Sequence, residues 1–195
     1  MLGFISKSSV GIKENLQANP WKTISSREVY KNSWIRVRED QVIRPDGNPG
    51  IYGVVEARLA VAVLAVDAEQ QIVLVGQFRY PLQNYSWELI EGGSEDQEQG
   101  LETAKRELEE EAGLTAGQWE PLGHEIHLSN SFSAERGVIF VARDLTEVAR
   151  RPEPTEILQV RRFSLAAVLA MIASGEITDS LTIIAIMLWQ QKNKQ

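Results

Sequence analysis

The sequence predicts an α/β fold, a mixed sheet held between helices and preceded by a small N-terminal antiparallel β-sheet. Three features predict it. Short runs rich in β-branched and aromatic residues begin near Trp21 and recur as far as Phe163. One acidic amphipathic stretch follows the glycine pair Gly92-Gly93. Two apolar stretches at helical spacing, opened by Ser164 and Asp179, close the chain.

Taken in order, residues 1–20 read as a loosely held leader ending at Pro20. Residues 21–57 form an N-terminal β-strand region. Val29-Tyr30 and residues 34–43 are strand-like, Pro45-Asp46-Gly47 is a turn, and residues 51–56 return. Three such strands need a partner surface to be stable, which makes this region a dimer contact and the protein a homodimer by expectation. Residues 58–195 form the main domain. Its apolar runs 59–66 and 72–75, split by Asp67 to Gln71, read as a buried hairpin. Residues 85–91 read as one strand leading into Gly92.

Further strands are expected over 119–126, 138–142 and 157–163, with His124 and His127 alternating on the first as edge residues. Ser164 caps a helix whose Leu165, Val168, Leu169 and Ile172 share one side and which stops at Gly175. Asp179 caps the last helix, with Leu181, Ile184 and Leu188 at helical spacing.

The stretch 92–114 carries the chemistry. Its helix holds Glu98, Glu102, Arg106, Glu107, Glu109, Glu110 and Glu111 and closes on Gly113. Leu101, Ala104, Leu108 and Ala112 form the apolar stripe that faces a core. Glu107 and Glu111 stand one turn apart beside that stripe, with Glu110 just outside. Like charges so spaced repel, and Arg106 is placed to offset this by reaching Glu98, Glu102 or Glu110. Clustered carboxylates are the oxygen ligands that a hard cation such as Mg2+ takes. Because a strand runs straight into the glycine turn, the backbone carbonyl of Glu91 is a further candidate ligand.

The same stretch fits G-x5-E-x7-R-E-U-x-E-E-x-G-U, with U a bulky apolar residue. Every fixed position matches: Gly92, Glu98, Arg106, Glu107, Leu108, Glu110, Glu111, Gly113 and Leu114. It resembles the Nudix box. The resemblance implies an α/β/α sandwich and metal-assisted hydrolysis of a nucleoside diphosphate linked to another moiety. It implies Mg2+, with Mn2+ as a substitute, held by Glu107 and Glu111 with Glu110 assisting. Gly92, Glu98, Arg106 and Gly113 take structural parts.

Outside the box, Q-F-R-Y at 77–80, S-W-E at 86–88 and S-A-E-R at 133–136 look like the ADP-ribose and sugar-nucleotide pyrophosphatase branch. That resemblance implies Arg58, Arg79, Glu88 and Glu135 as substrate-binding residues. It also implies a general base on a late loop, where R-P-E-P-T-E offers Glu153 and Glu156. Glu153 is preferred because flanking prolines stiffen its backbone. With Glu110 and Glu111 these are the candidate catalytic residues. One departure stands out: the proline usual beyond the box is absent, and Ser129-Asn130-Ser131 occupies that neighbourhood. GDP-mannose, ADP-glucose, dinucleoside polyphosphates and nucleoside triphosphates therefore remain alternatives to ADP-ribose.

A formal charge of −7 over 195 residues argues against a general nucleic-acid binder, so a phosphate substrate needs local cations. The chain has no cysteine, hence no disulfide or thiolate metal site. No signal-peptide pattern opens it, and the apolar run 181–189 is too short to span a membrane. The expectation is a cytoplasmic enzyme. The competing reading, a non-catalytic nucleotide-sugar sensor, would be expected to have lost box glutamates, and none is missing.

Overall fold

The computed structural model of the chain describes residues 18–151 and 157–193. Its element order is β1 (Lys22–Lys31), β2 (Ile35–Ile43), β3 (Pro49–Ala57), β4 (Ala60–Ala65), β5 (Gln71–Arg79), β6 (Asn84–Glu88), β7 (Ile90–Gly93), α1 (Gly100–Ala112), β8 (Leu114–Pro121), β9 (Ile126–His127), β10 (Arg136–Glu147), β11 (Gln159–Ser164), α2 (Leu165–Ser174) and α3 (Ser180–Lys192).

β1, β2 and β3 form the expected antiparallel N-terminal sheet. It leans on the rest of the molecule through residues 131–134, with Val55 donating to Phe132 O at 2.9 Å and Ala134 donating to Val55 O at 2.8 Å. A mixed sheet follows in the order β7-β4-β10-β8, with β4 and β10 parallel and β9 paired to β10. A third sheet, antiparallel, runs β11-β5-β6.

The unbroken apolar run of β4 is explained by burial on both of its faces. Ala62 and Leu64 turn towards α2 and α3, packing with Val168, Met171, Leu181, Ile186 and Trp189. Val61, Val63 and Ala65 turn the other way, towards Ala104, Leu108 and Ala112 of α1. β5 alternates in step, Ile72 and Leu74 with the first cluster, Val73 and Val75 with the second. The result is the expected sandwich, α1 on one side and α2 with α3 on the other. No helix among the described residues is long and apolar enough to cross a membrane.

Several local readings are corrected. β4 and β5 are not a paired hairpin: they belong to different sheets, and although their side chains share both core clusters their backbones pair only at an isolated bridge between Val66 and Ile72. Each strand has better partners elsewhere, and local sequence does not encode that choice. The strand expected over 85–91 breaks at Leu89, because β6 pairs with β5 while β7 pairs with β4. β8 begins at Leu114, directly after α1, and ends before His124, which leaves only His127 on a strand; both histidines are exposed. α1 begins at Gly100, so Glu98 lies ahead of it. The caps at Ser164 and Asp179 are where the sequence places them, accepting from the Ala167 and Thr182 N–H groups at 3.2 and 2.7 Å.

Candidate active site

α1 starts where Glu102 accepts from the Gln99 N–H at 3.0 Å, and it stops at Gly113, whose φ of 65° permits the left-handed cap. Its apolar stripe fixes its rotation against β4 and β5, so Glu107 and Glu111 point at the β7 turn. Gly92 is required there. A Cβ on it would stand 1.8 Å from Glu107 Oε1, so the Glu107 carboxylate occupies the space that a side chain would take.

Arg106 organises the acids. Its Nε and Nη2 each donate to Glu98, at 3.0 Å, to Oε1 and Oε2 respectively. Nη1 donates to Glu107 at 2.7 Å and to Glu110 at 3.0 Å, and Nη2 also reaches the Gly93 carbonyl at 3.2 Å. Glu98 further accepts from the Glu95 N–H and the Thr103 hydroxyl, both at 2.9 Å. Bonding to Arg106 is the main cause of a Glu98 pKa lowered to about 2, and the same bond raises that of Arg106. Glu102, one of the three acids the spacing offered to Arg106, is taken by the helix cap instead.

Glu111 is 2 % exposed and accepts from the Glu91 N–H at 3.3 Å. The Glu91 side chain turns inward to the Thr182 hydroxyl at 3.3 Å. Burial raises its pKa well above the carboxylate range, reinforced by the charge of Asp179, a hydrogen bond with Asp179 and the charge of Glu88. Arg79 opposes that shift. Its guanidinium makes a forked pair with Glu88, donating from Nε to both oxygens and from Nη2 to one of them. Burial works against the Arg79 charge, but Glu88, Glu91 and Glu111 outweigh it and raise its pKa.

Two clefts divide the residues singled out in the sequence. One, of about 150 Å³, is lined by Arg58, Glu91, Gly92, Glu107 and Glu110, with Trp34 of the N-terminal sheet at its edge. The other, of about 510 Å³, is lined by Arg79, Glu88, Glu135 and Asp179. Glu153 and Glu156 lie outside the described residues. Two residues that lie in or beneath these clefts carried no such mark in the sequence. Asp179 was legible only as a helix cap, and Thr182 gave no signal at all.

Among the described residues no three acidic or histidine side chains already converge as a metal cage; Glu107 and Glu110 are drawn to Arg106. The donor set still suits a hard divalent cation. It consists of carboxylates at i, i+3 and i+4 of one helix, Glu107, Glu110 and Glu111, with Glu107 seated in the space that Gly92 leaves and negative charge in excess around Glu91.

Comparison with known proteins gives the family. Residues 21–55 match the family described as nucleoside diphosphate sugar hydrolase N-terminal domain, and residues 56–181 match the NUDIX domain. The chain is 34% identical over 173 residues to the ADP-ribose pyrophosphatase of Bacillus subtilis (strain 168), covering 88% of this chain and 93% of that one. It is 33% identical over 171 residues to the methanol dehydrogenase activator of Bacillus methanolicus, covering 87% and 92%. It is 32% identical over 170 residues to the ADP-ribose pyrophosphatase of Mycobacterium tuberculosis (strain ATCC 25618 / H37Rv), covering 86% and 82%. The crystal structure of an ADP compounds hydrolase shares the fold, with a TM-score of 0.80 at 20% identity over 89% of this chain and 94% of that one.

Proposed function

This chain belongs to the Nudix pyrophosphohydrolases, and from that premise we propose that it splits ADP-ribose into AMP and ribose 5-phosphate in a magnesium-dependent reaction. One observation carries the reading. Glu107 and Glu110 line a cleft at the Gly92 turn that also holds Arg58 and Trp34, and the buried Glu111 reaches the same turn by accepting from the Glu91 N–H. An acidic floor with a cationic and aromatic wall suits a diphosphate joined to a base.

In this reading Glu107 and Glu111 hold Mg2+, or Mn2+ in its place, with Glu110 and the Glu91 carbonyl assisting. Held there, such an ion would supply Lewis-acid polarisation of phosphate oxygens and a more acidic water. The chain's own residues do the rest. Arg58 and Arg79 offset the diphosphate charge, Glu88 aims Arg79 through their forked pair, and Glu135 accepts from a ribose hydroxyl. Trp34 offers its ring face to the base. Glu153, with Glu156 as the alternative, takes the proton of the attacking water. The water oxygen bonds to one phosphorus, the bridging oxygen leaves with the other, and two monophosphates result.

A homodimer belongs to the same proposal. All ten residues of β1 are exposed, and Ile24, Val29, Tyr30 and Ile51 present apolar surface on a three-stranded sheet. Light scattering on a sizing column should give twice the chain mass.

The test of substrate is a panel of ADP-ribose, ADP-glucose, GDP-mannose, NADH, a diadenosine polyphosphate and the four dNTPs, scored by released products. ADP-ribose should turn over fastest. Equal turnover of dNTPs and sugar nucleotides rejects the reading. Preference for GDP-mannose or ADP-glucose would favour the alternative left open by Ser129-Asn130-Ser131.

A further inference from the structure

Leu89 is the residue at which the chain leaves one sheet for another, between β6 and β7. It is wholly buried, and its N–H is satisfied from far along the chain, by the Thr182 hydroxyl on α3 at 3.0 Å. A hydroxyl that accepts from a backbone N–H keeps its own proton to give, and Thr182 directs it to Glu91 Oε1 at 3.3 Å. Thr182 is itself fully buried, and its backbone N–H donates to the Asp179 carboxylate at 2.7 Å. The Asp179 carboxylate stands close enough to the Glu91 side chain for its charge to act on it. The Glu91 side chain thus accepts a hydrogen bond from α3 and stands beside the residue that caps that helix, while its N–H donates to Glu111. Asp179 lines one cleft and Glu91 the other, so this linkage connects residues of both.

We infer that Thr182 and Asp179 are positioning residues of the acidic site: through the Glu91 side chain, α3 sets where the Glu91 backbone meets the Glu111 carboxylate. Neither residue touches the reacting atoms. Their effect is to hold β7 and the buried helix acid in register, as outer partners of ligating groups do. The inference rests on the metal-dependent reading above, but substrate identity does not enter it.

The test is direct Mn2+ binding, followed by the electron paramagnetic resonance of free Mn2+ without substrate, with turnover measured separately. Thr182→Val keeps shape and removes the hydroxyl; it should weaken Mn2+ binding about ten-fold. Thr182→Ser restores the hydroxyl and should stay within about two-fold of wild type. Glu91→Ala leaves the Thr182–Leu89 bond intact, and so decides the matter if Thr182→Val does not fold. It should weaken Mn2+ binding as Thr182→Val does, and the double variant should be no worse than either single one. Additive losses, or wild-type binding in Thr182→Val or Glu91→Ala, overturn the inference. A wild-type chain that cleaves no sugar nucleotide while Thr182→Val still loses Mn2+ binding refutes the substrate reading and leaves this inference standing.

Discussion

Arg106 grips Glu98 with a two-point fork, one 3.0 Å bond to each carboxylate oxygen, from a residue two positions ahead of the helix that carries the arginine. That fork fixes the guanidinium plane and leaves Nη1 to hold Glu107 and Glu110. Arg106→Lys keeps the charge but cannot form the fork. It should lower stability by about 2 kcal/mol and turnover by more than ten-fold, since three carboxylates lose a common anchor. Urea denaturation beside product release checks both. An unchanged rate would mean that the positions of Glu107 and Glu110 do not depend on Arg106.

The same pair gives the protein an acid-sensitive point. The Glu98 pKa is lowered from an ordinary 4.5 to about 2, chiefly by its bond to Arg106. Its contribution to stability is therefore complete above pH 4.5 and is lost as pH falls towards 2. Glu98→Gln should be less stable than wild type at pH 7. The gap should narrow between pH 5 and pH 2, as seen in urea midpoints collected across that range. A constant gap would show that the Glu98 charge does not matter to the fold.

The acidic helix was legible because its meaning is local. Leu101, Ala104, Leu108 and Ala112 fix one face, and the glutamate positions follow from helical geometry. Gly113 closes it by a backbone rule that acts over a few residues, whereas its start was not legible: Glu98 lies ahead of the helix and Gln99 is its N-cap. Pairing of β4 and β5 was not legible, because each strand chooses among distant partners and the intervening turn permits either outcome. The Thr182–Leu89 bond joins residues 93 positions apart, and nothing near either residue announces it. Asp179 misled for the opposite reason: its cap role is local and correct, and it hides a second contact that only the fold creates.

Gly92 offers a test that separates site from scaffold. A Cβ there would meet the Glu107 carboxylate at 1.8 Å and its Cγ at 2.6 Å, whereas at Gly53 nothing lies within 4 Å. Gly92→Ala must push Glu107 away from the turn, and the flexible side chain can yield without unfolding the core. Melting should shift by only a few degrees, about 1 kcal/mol, while turnover falls about 100-fold. Gly53→Ala should change neither. Full activity in Gly92→Ala would show that Glu107 is not needed where it stands.

Glu111 should show function and stability pulling apart. It is almost wholly buried beside Glu91, in a region where Glu88 and Asp179 add negative charge and Arg79 supplies the positive charge that opposes it. Burying a carboxylate among others is costly unless a cation joins them. Glu111→Gln keeps the shape, still accepts from the Glu91 N–H and removes one charge. In metal-free buffer it should unfold at an equal or higher urea concentration than wild type. Its turnover with Mg2+ should fall by two or more orders of magnitude, as the proposed role of Glu111 as an oxygen donor to the ion requires. Added Mg2+ should raise the melting temperature of wild type and not that of the variant. If the variant is instead destabilised and both respond to Mg2+ alike, Glu111 serves the core and the ion is held elsewhere.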